Sequence, residues 1–101
     1  MARFEVFRNP RGGEFPYILD IQAELLAHLA SRVVVPMMVR ERYGKPITRL
    51  NPTAALGGRE YVLVFQELAA VPSSALGERV ASLSAQREEL IAALDLLFTG
   101  I

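Results

Sequence analysis

Cysteine is absent from the chain, which excludes disulfides and thiolate metal ligands. Histidine is nearly absent. His28 stands alone, and although Glu24 lies one helical turn before it, no second histidine follows to complete a metal-binding pair. The sequence therefore calls for no metal and no cofactor. It also lacks any apolar stretch near the roughly 18 residues that cross a bilayer. Met-Ala-Arg-Phe-Glu runs into a strand pattern, with no basic segment followed by an apolar one. A cytoplasmic protein is the expectation. An excess of charge is missing too, since 11 basic residues balance 11 acidic ones. General affinity for nucleic acid scales with the phosphates a basic surface neutralises, so it is not expected here. Lysine is the last scarcity: only Lys45 breaks a set of arginines, which favours planar, forked contacts to carboxylates.

What is present reads as one domain over residues 1–101. A chain of this length buries roughly two thirds of its unfolded surface and has no room for a second core. Phe4 and Val6 alternate with Arg3, Glu5 and Phe7. Asn9-Pro10-Arg11-Gly12-Gly13 supplies turn chemistry, and Phe15, Tyr17, Leu19 and Ile21 resume the period of two, which predicts two strands and their hairpin. Ala23 to Ala30 is only about two turns long, so it reads either as a short helix or as an ordered loop presenting Leu25 and Leu26. The β-branched run Val33 to Val39 suits a strand buried on both sides, with Pro36 implying a bulge or an edge.

Arg40 to Lys45 is polar, Pro46 to Leu50 reads as a short strand, and Asn51-Pro52 marks a turn. Gly57-Gly58 between Thr53–Leu56 and Tyr61–Phe65 is the clearest hairpin, because a tight turn demands the positive φ that glycine accepts. Ser73 to Leu83 carries no firm pattern. Ser84 is the expected N-cap of a final helix in which Leu83, Leu90, Ile91, Leu94, Leu97 and Phe98 recur at helical spacing. Strands first and helix last predict a mainly β fold: an antiparallel, barrel-like sheet with one covering helix.

Catalytic constellations do not assemble from this sequence. Gly12-Gly13 and Gly57-Gly58 lack the spacing of phosphate-cradling loops, and Ser73-Ser74 has no histidine or Ser-x-x-Lys context. Glu88 and Glu89 face two directions on a helix and make no acid–base pair. A non-enzymatic protein is expected. The remaining candidate is the chain's last segment: Leu96-Leu97-Phe98-Thr99-Gly100-Ile101 has no charged cap and ends on an apolar side chain, which marks a candidate interface. Gly100 also fits the ordinary role of a left-handed residue closing a helix.

Three segments carry a family resemblance: Ala-x-Val-Pro at 69–72, Gly-Glu-x-Val-Ala-x-Leu-Ser at 77–84, and Phe-x-Gly-Ile at 98–101. Together with Phe4-Glu5-Val6-Phe7, Asp20-Ile21-Gln22 and Arg32-Val33-Val34-Val35-Pro36, they resemble CcdB toxins. The resemblance implies an SH3-like antiparallel barrel with a C-terminal α-helix, a homodimer, and a toxin–antitoxin operon in which DNA is contacted mainly through the antitoxin. It implies a toxin that traps the DNA gyrase A subunit in its cleavage complex. The gyrase surface carried over from the family is Leu25, Leu26, Asp95, Phe98, Thr99, Gly100 and Ile101; the family usually has Trp where Thr99 stands and Asn where Asp95 stands. Leu94 and Leu97 are assigned to the dimer seam. Arg8, Arg11, Arg40 and Arg42, on the hairpin and the polar stretch, are assigned to an acidic antitoxin segment. Two alternatives stay open: a MazF-type endoribonuclease on the same fold, although its opening Gly-Asp strand and Gly-x-Arg-Pro segment are missing, and an inactive homologue that sequesters antitoxin.

Overall fold

The computed structural model describes residues 2–101. Its strands are β1 (Glu5–Arg8), β2 (Tyr17–Asp20), β3 (Ser31–Val39), β4 (Thr53–Leu56), β5 (Arg59–Leu63), β6 (Ala69–Pro72) and β7 (Arg79–Ser82). A one-turn helix α1 (Arg40–Tyr43) follows β3, and α2 (Arg87–Thr99) follows β7. The sheet order is β4-β5-β3-β2-β1-β7, with β6 attached to β3 beside that path, and every pairing is antiparallel. The expected antiparallel sheet with a final covering helix is thus present. Its curl stays open as a half-barrel, since β4 pairs with β5 alone and β7 with β1 alone among the described residues.

Strand alternation sends successive side chains to opposite faces, and here both faces are covered. Val6, Leu19, Val35, Met37 and Leu63 join Phe4, Phe65, Leu83 and the helix residues Leu90 and Ala93 in the main core. Their neighbours Phe7, Ile18 and Val34 form a second cluster on the other face, beneath Val71 and Leu76. This explains the unbroken apolar run of β3.

Pro36 is neither on an edge nor at a bulge. It lies where β3 changes partners, from β6 along residues 31–34 to β5 along residues 37–39. Opposite β2, residues 33, 35 and 37 face their partners in the hydrogen-bonding positions, so the donor that proline lacks would have pointed to the side where β6 gives way to β5. On that side Pro36 still accepts a bond from the Val64 N–H at 3.0 Å. The Gly57-Gly58 hairpin has the expected two-residue turn, with φ of 55° and 80° between the paired Leu56 and Arg59.

Two further expectations are corrected, and one unassigned stretch is resolved. Pro46 to Leu50 is a turn, because the Asn51 N–H donates to Ile47 O and its side chain accepts from the Ile47 N–H, which curls the segment back on itself. Ser84 does not cap the helix: it opens a 3-10 turn over Ser84–Gln86 whose first N–H is accepted by Ser82 Oγ, and α2 begins at Arg87 without a side-chain cap. Ser73 to Leu83 and the segment before it hold the two strands β6 and β7 that the sequence pattern left unread.

The β1–β7 seam contains a tight backbone approach. Gly77 donates its N–H to Arg8 O at 2.9 Å, and a Cβ at Gly77 would fall 2.6 Å from that same oxygen. Gly77→Ala must therefore push the strands apart, and chemical denaturation should show a loss of about 1–3 kcal/mol, the usual cost of forcing extra volume into a packed seam. At the other end of the seam, burial pushes the Glu5 carboxyl up, but the Arg79 guanidinium and the Ala2 N–H outweigh it and hold it below its ordinary 4.5. The sign follows: this contribution is present above pH 4.5 and is lost as pH falls through the lower folded value.

Candidate functional site

Helix α2 divides along its length. Leu90 and Ala93 are buried, and Ile91 and Leu94 lean on the main core. Beyond them Leu97 is half-buried and belongs to neither core cluster, while Phe98 is 69% exposed and Ile101 82% exposed. An apolar end in water at these residues is not required by the fold, since the core closes one turn earlier. The end is nonetheless well held. Thr99 Oγ1 donates to Asp95 O at 2.6 Å, the Gly100 N–H donates to Leu96 O at 3.1 Å with Gly100 left-handed at φ 76°, and Arg49 Nη2 donates to Ile101 O at 2.8 Å.

The electrostatics of this end are unfavourable in isolation. No basic residue occupies the last turn of α2, and exposed Asp95 adds a negative charge near the negative pole of the helix dipole. Among the described residues Asp95 has no ion-pair partner. The Arg49 guanidinium already meets the helix end at Ile101 O, so the charge left for an incoming cation to relieve is that of Asp95.

The apolar pair Leu25 and Leu26 sits on a single 3-10 turn over Glu24–Leu26, with Leu25 86% exposed. Of the two sequence readings, helix or ordered loop, this is closer to the loop. A buried polar chain beneath the turn fixes it. Arg32, at 0% exposure, donates from Nε (3.0 Å) and Nη2 (2.5 Å) to Asp20 Oδ2; Asp20 Oδ1 accepts the Gln22 N–H at 2.9 Å; the Gln22 side chain then bonds Leu26 O and the Val33 N–H, each at 3.0 Å. No hydrogen bond joins this turn to α2 among the described residues. Leu25 and Leu26 are thus exposed on the turn, and Phe98 and Ile101 at the helix end.

Asp20, Gln22 and Arg32 entered the sequence reading only as part of the family resemblance and were given no role, although a carboxylate and a guanidinium inside otherwise apolar strands are themselves a signal of a buried pair. Arg49 gave no such signal.

The four arginines assigned to an antitoxin are exposed, and three of them have partners within the chain. Arg8 meets Glu78 at 3.2 Å, Arg42 meets Glu14 at 2.9 Å, and Arg40 meets Glu60. Arg11 has no ion pair among the described residues. It borders a recess floored by Ile18, Val34 and Val71. Exposed pairs of this kind contribute about 0–1 kcal/mol each, so acidic groups of a partner can displace them.

The family model of the CcdB protein matches residues 3–100. The chain belongs to the CcdB family. As a CcdB-family protein it is a toxin of the toxin–antitoxin kind, with partners of that general kind. The match spans the Leu25–Leu26 turn, the helix end as far as Gly100, the buried Arg32–Asp20 pair and the four arginines, and stops one residue before Ile101. No helix among the described residues is long and apolar enough to cross a membrane.

Proposed function

We propose that this CcdB-family toxin acts by binding rather than catalysis: as a cytoplasmic homodimer it engages the DNA gyrase A subunit and traps the cleavage complex. The observation carrying this reading is the helix end, which exposes Phe98 and Ile101 although the core needs neither and which is held by three hydrogen bonds. Exposed apolar side chains in a fixed geometry suit an interface anchor, because little ordering entropy remains to be lost on docking. Asp95 supports a cationic counterpart on the target. The half-buried Leu97, outside both core clusters, and the partly exposed Leu94 suit a seam between two copies.

Incubating the purified chain with gyrase, DNA and ATP tests the reading directly. Accumulation of protein-linked double-strand breaks is expected. Cleavage of RNA without gyrase would instead identify a ribonuclease, and absence of both effects together with antitoxin capture would identify an inactive homologue.

The antitoxin is proposed to bind elsewhere, through acidic residues of a flexible segment that displace the local partners of Arg8, Arg40 and Arg42 and reach Arg11; operon DNA is contacted through that complex. Reversing the charge of all four arginines should weaken antitoxin binding about tenfold or more, with a shallower salt dependence in calorimetry. Unchanged affinity would refute this surface.

A further inference from the structure

We propose that Arg49 is a positioning residue for target binding, a latch from the 46–50 turn that fixes the outermost residue of the helix end; the proposal rests on the helix end being the binding surface. Two independent features lead to it. Arg49 has φ of 69°, one of only two positive values outside glycine among the described residues, in a backbone region uncommon for a side chain bearing a Cβ. Arg49 lines a recess together with Glu89 yet forms no ion pair with it, and its guanidinium instead donates from Nη2 to Ile101 O, 52 residues away.

The surroundings explain how the unusual backbone persists. Buried Asn51 clamps the turn from inside: its Oδ1 accepts from the Ile47 N–H (3.0 Å) and Tyr43 OH (2.8 Å), and its Nδ2 donates to Leu63 O (3.2 Å) and Gln66 Oε1 (2.8 Å). Its own N–H bonds Ile47 O. A backbone outlier over-determined by such a network, with its side chain aimed at a surface used for binding, is the pattern of strain kept for function.

The three bonds at the helix end are not equivalent. Those of Thr99 and Gly100 are local and form with the helix itself. Only Arg49 reaches Ile101, whose exposed side chain would otherwise be ordered when the target arrives, at the target's expense in affinity. As an exposed contact the latch adds little to folding stability. Its effect lies in preorganisation.

Arg49→Gly separates the two roles, because glycine accepts the positive φ and the fold is retained or gains stability while the latch is lost. In the free protein, ¹⁵N relaxation should show the Ile101 amide falling from the rigid range, an order parameter near 0.85, to below about 0.6. Dissociation from the gyrase A subunit should accelerate about tenfold with association nearly unchanged, since ordering after contact appears mainly in the off-rate. An equally rigid Ile101, or an unaltered off-rate despite a loosened Ile101, overturns the proposal. A chain lacking Thr99–Ile101, run in the same assay, distinguishes the underlying reading: if it binds gyrase normally, the helix end is not the contact surface, and the relaxation measurement alone still decides whether Arg49 holds Ile101.

Discussion

A chain shortened by Thr99–Ile101 is expected to melt within about 4 °C of the full chain while losing gyrase inhibition by about 100-fold or more. The stability half of this result follows from where the contacts lie. Leu90 and Ala93 stay buried and Ile91 and Leu94 keep their packing, whereas the deletion removes only solvent-exposed hydrogen bonds from Thr99, Gly100 and Arg49. A few tenths of a kcal/mol is the usual worth of such contacts. The functional half follows from the asymmetry of interfaces, in which a few anchoring side chains carry most of the binding energy, each about 2 kcal/mol or more. In the proposed function, Ile101 and Phe98 serve as anchors of this type. Differential scanning calorimetry beside a supercoiling assay checks both halves, and full inhibition by the shortened chain would remove the helix end from the mechanism.

The second large effect is expected at the buried ion pair. Asp20→Ala should destabilise the protein by about 3–5 kcal/mol in urea titrations, because it leaves the Arg32 guanidinium charged and unpartnered in a site with no solvent access. Even in the intact protein Arg32 Nη1 is buried without a hydrogen-bond partner, so this site has no spare acceptor to offer. Replacing both residues at once, Asp20→Leu with Arg32→Met, should recover most of the loss, since an apolar pair needs no desolvation of charge. The recovered protein should still bind its target less well. Asp20 also accepts the Gln22 N–H, and Gln22 in turn holds Leu26 O, so the turn presenting Leu25 and Leu26 loses part of its support even when the core is restored.

The same two examples show what a linear reading reaches. Period-two alternation located β1 and β2, and the Gly57-Gly58 pair fixed a hairpin to the residue, because those signals act over a few neighbouring positions. β6 escaped notice because Ala69-Ala70-Val71-Pro72 has little strand character of its own; it becomes a strand by pairing with residues 31–34 of β3. The helix start moved from Ser84 to Arg87 because residues 84–86 wind into a 3-10 turn whose first N–H is held by Ser82 Oγ, and no side chain caps α2. At the site, exposed Phe98 and Ile101 were legible as apolar residues that nothing in the sequence covers. Arg49 was not, since its partner lies 52 positions away and nothing local marks it.

The change of partners at Pro36 also matters before the fold is complete. As the chain leaves the ribosome, Val33 to Val39 emerges together with β2, but the strands that complete its other edge, β5 and β6, are made only later. During that interval a nearly uncharged, β-branched segment offers a free ladder to any neighbouring nascent chain, the pattern that seeds aggregation. Proline at the middle of that edge withholds one donor where an intruding strand would seek it. The position where the finished sheet divides thus also bears on its synthesis, since it lies on the one edge of β3 whose partners have not yet been translated.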